Sequence, residues 1–250
     1  MKKNLLNNYV TERLQSAEQN LSSYFIEQKP EFLHHLRVDI KKIRAAQYFA
    51  GYIYDEKFCA GKIRKLFKEA GRIREIQISI ALLAILQNPP SALISQLKKK
   101  EKALTQTFIK NESGHLNGIR KFRKQIAFPE TLAKKKLILE FFDAENSRIK
   151  KALQYADREG MHQYRSRIKK LMYVFNLLPE RLQKIIELDK LATDKLQQKI
   201  GDWHDLHATI QFISEEYQSK KTESGLAELK NNETKQFSNL KRSLSIESNI

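Results

Sequence analysis

The strongest constraint on this chain is that it repeats itself. Two stretches, HHLRVDIKKIR from His34 and HQYRSRIKKLM from His162, share the histidine, the arginine three residues on, and Ile-Lys-Lys at six to eight residues on. A second pair, KLFKEAGRIRE from Lys65 and KLQQKIGDWHD from Lys195, shares Lys-Leu, a glycine and a basic-acidic dipeptide in the same order. The offsets are 128 residues for the first pair and 130 for the second. Such agreement is the signature of internal repetition, in which each unit folds and then packs against its copy. The chain is therefore expected to form one domain built from two related halves, residues 1–128 and 129–250, which meet near Phe128-Pro129.

Each half reads as helix. Only eight glycines and five prolines punctuate 250 residues, and apolar residues recur at spacings of three and four, as in LLNNYVTERL and LILEFFDAENSRIKKAL. Alternating β-branched runs around Asn-Gly turns are missing, so no strand is expected. Breaks are expected near Lys29-Pro30, Tyr54-Asp55, Asn88-Pro89, Ser113-Gly114, Phe128-Pro129, Glu159-Gly160, Pro179 and Ser224-Gly225. They divide the chain into about eight long helices, four to a half, with one interrupted near Gly114. The fold class is all-α, and a hydrophobic content of 41% is enough to fill a core.

Helical geometry then places the repeated side chains. At about 100° per residue, His34, Arg37, Lys41 and Arg44 fall within an arc of roughly 80°. Leu36, Ile40, Ile43 and Gln47 take the neighbouring arc, so this helix buries one side and presents cations directly beside it. In the second copy His162, Arg165 and Lys169 form the stripe, and Tyr164, Ile168, Leu171 and Phe175 the buried side; Met172 replaces Arg44 and weakens that end. In the other repeated helix, Leu66, Ala70, Ile73 and Gln77 form an apolar face with Ile63 and Phe67 alongside. Arg74 projects into that face, as does its counterpart His204 among Leu196, Ile200 and Trp203. A cation on an apolar face costs desolvation unless it is paired or lines a wet cavity, and the placement occurs twice, so both residues are read as facing a pocket. Lys65 and Lys195 stand at the border of the face, while Arg72, aligned with Asp202, is expected on the outer surface. The clusters at Lys98, at Lys134 and at Arg120, Lys121, Arg123 and Lys124 are expected to be solvated.

Charge narrows the partner. Lys and Arg number 46 against 29 Asp and Glu, a formal net charge of +17, which favours a large polyanion: nucleic acid, a phosphate polymer or an anionic membrane. The first half, to Gln125, holds 24 basic and 11 acidic residues and the second 22 and 18, so the first-half wall of any anion groove is expected to be the stronger. The single cysteine, Cys59, excludes an internal disulfide framework, reads as a small buried side chain and suits a reducing compartment. The amino-terminal MKKNLLNNYV lacks the apolar run of a signal peptide. ISIALLAIL, from Ile78, is about half of the roughly twenty residues needed to span a bilayer. A cytoplasmic protein without membrane insertion is expected.

At these residues the sequence resembles the CHAD family, the conserved histidine α-helical domain, whose pattern is a His-x-x-Arg helix rich in Arg and Lys followed by a Leu-Gly-x-x-Arg-Asp helix, both present twice. The matching residues are His34, Arg37, Lys41, Lys42 and Arg44, then Gly71, Arg74 and Glu75; in the second half they are His162, Arg165, Lys169 and Lys170, then Gly201, His204 and Asp205. Glu75 stands for the usual aspartate, and Ala70 for the leucine before the glycine. The resemblance implies two four-helix bundles related by pseudo-twofold symmetry, with basic helices lining a central groove or channel that binds inorganic polyphosphate. It also implies association with polyphosphate granules, and no catalysis. The expected binding residues are those basic and histidine side chains together with Lys65 and Lys195. No cofactor, metal or catalytic residue is expected.

Polyphosphate has no bases to read, so its recognition calls for closely spaced cations, with arginine supplying bidentate contacts and lysine point charges. Protonated His34, His162 and His204 would add donors, and affinity is expected to rise as pH falls through roughly 7 to 6. Two rival readings remain open. A nucleic-acid binder fits the charge, but single-strand binders interleave stacking aromatics with their cations, and only Tyr48 and Tyr173 lie near the stripes. Weaker binding of nucleic acid and other polyanions is expected beside polyphosphate. A phosphate-processing enzyme would need a Gly-x-x-x-x-Gly-Lys loop, paired-cysteine metal ligands or His-Glu-x-x-His, and none occurs. An anionic membrane surface would call for an amphipathic helix with exposed Trp or Phe.

Overall fold

Proline and left-handed caps punctuate the chain into ten helices in the computed structural model, which describes residues 4–58, 61–154, 157–186, 188, 190–217 and 220–247. Cys59 lies outside the described residues. The helices are α1 Leu5–Glu27, α2 Pro30–Tyr54, α3 Gly61–Ala84, α4 Ser91–Lys110, α5 Glu112–Gln125, α6 Lys135–Gln154, α7 Arg158–Leu177, α8 Glu180–Gln183, α9 Lys190–Glu216 and α10 Lys220–Glu247. No strand occurs among the described residues.

The α1–α2 junction shows how sequence sets these ends. Gln28 takes a left-handed conformation (φ 55°) and donates its backbone N–H to the Tyr24 carbonyl at 2.9 Å. Lys29 is extended, as the residue before a proline prefers, and Pro30 starts α2 where its missing N–H costs nothing. Asp55 closes α2 in the same left-handed way. Three expected breaks fall elsewhere, with the glycine in each case inside a helix. The α4–α5 break is at Asn111, with Gly114 inside α5. Helix α7 starts after Asp157, whose carboxylate accepts the Gly160 N–H at 2.7 Å, so Gly160 lies in the first turn. Helix α10 begins at Lys220 and carries Gly225 within it. A helical glycine costs about 1 kcal/mol, which the burial of Leu226 and Leu229 offsets.

Packing joins α1 to α2, α2 to α3, and α3 to α4 and α5; further along the chain it joins α6 to α7, α7 to α9, and α9 to α10. Between these sets, α2 meets α6 and α7, and α3 meets α9. The four helices that carry the repeated motifs therefore converge at the centre. Leu36, Ile40, Ile43 and Gln47 are buried, as are Tyr164, Ile168, Leu171 and Phe175. Their burial turns the adjoining basic stripes toward each other.

The principal core cluster draws residues from both sides of the Phe128-Pro129 break. Phe141 of α6 lies edge-on to Phe49 at 5.0 Å, Tyr52 at 5.3 Å and Tyr48 at 5.9 Å, all on α2. The connection between α5 and α6 is fastened to α1: Asn7 exchanges hydrogen bonds with the Phe128 backbone at 2.8 and 2.9 Å, and the Asn4 N–H donates to the Glu130 carbonyl at 2.6 Å. On the far side, the buried hydroxyls of Ser79 on α3 and Thr209 on α9 lie 3.3 Å apart. A second core cluster there joins α3 and α4 to α9 and α10.

Because the core crosses the halves, urea unfolding is expected as one transition. Phe141→Ala should lower its free energy by about 3–5 kcal/mol without changing the slope. Two separated transitions by circular dichroism and tryptophan fluorescence would contradict this packing.

Candidate functional site

Two connected compartments open between α2, α3, α7 and α9. The first, about 580 Å³, is lined by Lys41, Arg44, His162, Arg165, Lys169 and Lys170, with Tyr48, Phe58, Phe67 and Tyr173 as its apolar lining. The second, about 680 Å³, is lined by His34, Arg37, Lys41, Arg74, Arg165, Lys169 and His204, with Lys68, Arg72, Gly71 and Gly201 on its α3 and α9 walls. Lys41, Phe67, Arg165, Lys169 and Tyr173 belong to both and form the neck between them. Among the described residues no carboxylate lines the first compartment; the second contains Glu75, Asp202 and Asp205.

Three expected residues stand outside both compartments. Lys42 is half-buried on a neighbouring face of α2, and Lys195 is exposed. Lys65 is also exposed and lies 3.8 Å from Glu69, one turn along its own helix. Arg72 and Asp202, expected on the outer surface, are exposed at the rim of the second compartment. Met172 is buried in the core, so the second basic stripe ends at Lys170. Lys68, Phe58, Phe67 and Gln197 line the site without having been expected there. Lys68 was legible, because Lys68, Gly71, Arg72 and Glu75 share one helical face by their spacing of three and four.

The neck concentrates like charge. Among the described residues, the one carboxylate in ion-pair range of these central cations is Asp205, 4.0 Å from Arg165. Burial, followed by repulsion from Arg37, Lys169 and Arg165, lowers the Lys41 ammonium to about 8. Burial also lowers Arg37, Arg165, Lys169 and Lys170 from their ordinary values. Asp205 is pushed up by burial, but His204, Arg165 and Lys169 outweigh that and hold it below the usual aspartate range. Burial lowers His34 and His204, and neighbouring cations add to the effect. His162 and His204 stack with ring centroids 4.9 Å apart. Buried Nε atoms of Arg74 and Arg165, and Nε2 of Gln197, have no hydrogen-bond partner. An unsatisfied buried donor costs about 1–3 kcal/mol, so the cleft is built with donors in excess.

Aromatic rings hold several of these cations. Arg37 lies over the Phe67 ring at 4.2 Å and Arg44 over the same ring at 5.4 Å. Lys170 sits 3.8 Å from the Tyr48 ring centroid. Tyr48 in turn donates to the buried Glu145 at 2.6 Å and accepts from Arg148 at 2.9 Å, which ties α2 to α6 beside the first compartment. Burial and Glu145 push the Tyr48 hydroxyl up to about 12. Among the described residues, no group of three or more His, Cys, Asp or Glu side chains is arranged to hold a metal ion. No described helix is long and apolar enough to cross a membrane.

The family model of the CHAD domain matches residues 8–214. The chain belongs to the CHAD family. A crystal structure of the CHAD domain from the plant Ricinus communis is similar in fold, with a TM-score of 0.66 over 94% of this chain and 86% of that one, at 15% identity. No curated protein matches the sequence. Within this CHAD domain His34, Arg37, Arg74, His162, Arg165 and His204 stand on the four helices that meet at the cleft.

The depressed Lys41 gives a test with a definite sign. Its folded value, about 8, lies below the ordinary 10.5, so the unfolded chain binds the extra proton between those values and the lysine's contribution to stability improves as pH rises through that window. Lys41→Met should therefore raise the thermal midpoint of the ligand-free protein most below pH 8, with the advantage shrinking toward pH 10.5. Scanning calorimetry of both proteins across this range checks it.

Proposed function

We propose that this CHAD domain is a non-catalytic binder of inorganic polyphosphate, with the polymer lying across the neck and along the cationic stripes of α2 and α7. The observation that carries the reading is the continuity of charge: Lys41, Arg165 and Lys169 belong to both compartments, so a flexible polyanion would meet a cation at every step between them. Donors without protein partners at Arg74, Arg165 and Gln197 support a ligand rich in acceptors. The pseudo-twofold arrangement of the two halves belongs to the same reading. Ser79 and Thr209, 130 residues apart, meet each other, and Lys169 repels Lys41, its counterpart 128 residues earlier. Positions on a twofold axis would do the same. Association with polyphosphate granules in the cytoplasm follows as the cellular role of such a binder.

The aromatics favour polyphosphate over single-stranded nucleic acid. Stacked bases need free ring faces, and here Phe67 and Tyr48 already carry Arg37, Arg44 and Lys170. Competition between long-chain polyphosphate and single-stranded DNA of matched charge, at fixed salt, tests the choice; preference for DNA would overturn it. Binding should weaken linearly on a log–log salt plot, and Arg37→Ala/Arg165→Ala should reduce the slope by roughly two, one for each lost phosphate contact. A path across both halves should also bind long chains more tightly than short ones.

Dependence on pH should have two limbs. Above about 8, Lys41 in the empty cleft loses its proton, so binding must take one up and affinity falls as pH rises. At the acid end, His34 and His204 sit below their ordinary 6.5. The gain from their protonation therefore comes at lower pH than an exposed histidine would give. Calorimetric titrations between pH 5 and 9 in two buffers of different ionisation enthalpy would measure both limbs and the protons taken up.

A further inference from the structure

Arg37 and Arg165 occupy equivalent places in the repeated motif but not equivalent surroundings. Arg37 Nη1 donates to the Phe67 carbonyl at 2.6 Å, and its guanidinium carbon lies over the Phe67 ring, 4.2 Å from the centroid. Gly71, one turn further along α3, leaves the opening this guanidinium fills: a Cβ there would collide with it. In the second motif the residue aligned with Phe67 is Gln197. Among the described residues its buried Nε2 has no hydrogen-bond partner, and neither does the buried Nε of Arg165, whose Nη2 stands 4.0 Å from Asp205. A Cβ on Gly201 would stand 4.0 Å from Arg165, with room to spare.

We infer that Phe67 is a positioning residue, which fixes Arg37 in the cleft before any ligand arrives, whereas Arg165 across the neck is left to adapt. The physical basis is preorganisation. An arginine already ordered by a ring face and a backbone carbonyl loses little rotamer freedom on binding, while Arg165, held by a carboxylate at 4.0 Å and by no ring, must be ordered further at the ligand's expense. The same ring also lies under Arg44, so one side chain of α3 steadies two cations of α2. The polymer would then meet one preset wall and one pliant wall.

This inference rests on the polyphosphate reading for its affinity test but has a readout independent of it. The full chain is titrated with long-chain polyphosphate at several salt concentrations, using Phe67→Gln, which copies the second motif, and Phe67→Tyr, which keeps the ring. Phe67→Gln should weaken binding roughly three- to tenfold, the size of one or two cation–π contacts. Its salt slope should match that of the wild type, because no charge is lost, whereas Arg37→Ala should lower the slope by about one. Added to Arg37→Ala, Phe67→Gln should cost clearly less than it does alone, the remainder being its contact with Arg44, while with Arg165→Ala its effect should be additive; Phe67→Tyr should restore most of the affinity. In the empty protein, nitrogen NMR should find Arg37 guanidinium rotation hindered in the wild type and faster in Phe67→Gln, which keeps the backbone carbonyl but loses the ring, with Arg165 freer than Arg37 in the wild type.

Failure of the wild type to bind polyphosphate would defeat the functional reading, and the NMR comparison would still decide the role of Phe67. If the wild type binds and Arg37→Ala weakens it, but Phe67→Gln neither changes affinity nor frees Arg37, the positioning role is wrong.

Discussion

Like charges brought together in a partly dry cleft repel one another, and this CHAD domain holds them there. Arg37, Lys41, Arg165 and Lys169 converge where α2 crosses α7, and Asp205, 4.0 Å from Arg165, is the one carboxylate in ion-pair range of them among the described residues. Glu75, Asp202 and Asp205 offset that repulsion only in part, since the net effect on all four cations is still a lowered pKa. What holds the cations in place is the apolar packing on the other side of the same helices, where Leu36, Ile40 and Ile43 on one, and Ile168, Leu171 and Phe175 on the other, are buried. Burying one large aliphatic side chain stabilises by roughly 1.5–3 kcal/mol, so a handful outweighs the cost of crowding several charges at a wetted surface. The repulsion left over is available to whatever anion relieves it.

This division of labour explains what the sequence could and could not reveal. Helical phase is a property of one helix, so the repeated motifs told which side of α2 and α7 is buried and which is basic. The cleft depends on how four helices cross, which no single helix encodes. Lys42 was joined to its neighbours by the family resemblance and not by helical phase: it stands about 100° round from Lys41 and lines neither compartment. Lys65 has a nearer acid in Glu69. Phe67 was legible as apolar and not as a platform, since that role needs Arg37 to arrive from another helix. Gly71 was visible as a motif residue without a reason, and the reason lies in the same arginine. Glycine also misled: Gly114, Gly160 and Gly225 all sit inside helices, because a single glycine weakens a helix without ending it when Asn111 or Asp157 already sets the boundary.

The α3 and α9 walls of the second compartment also differ in charge. In the second compartment the α3 wall contributes Lys68, Arg72 and Arg74 with Glu75, and the α9 wall contributes His204 with Asp202 and Asp205. In this compartment the α3 wall is thus the more basic one. His204 stacks on His162 and lies 3.5 Å from Asp205, so the weaker wall is the one with more neutral and acidic groups.

The clasp between Asn7 and the Phe128 backbone, with Asn4 held by Glu130, reaches across more than 120 residues. A chain emerging from the ribosome has made its first two helices long before those partners exist. Helix α1 can lie on α2 early, but its leading end stays unfastened until the connection to α6 has been synthesised. A nascent chain arrested short of residue 128 would therefore carry most of its first five helices and still lack the latch on its opening one.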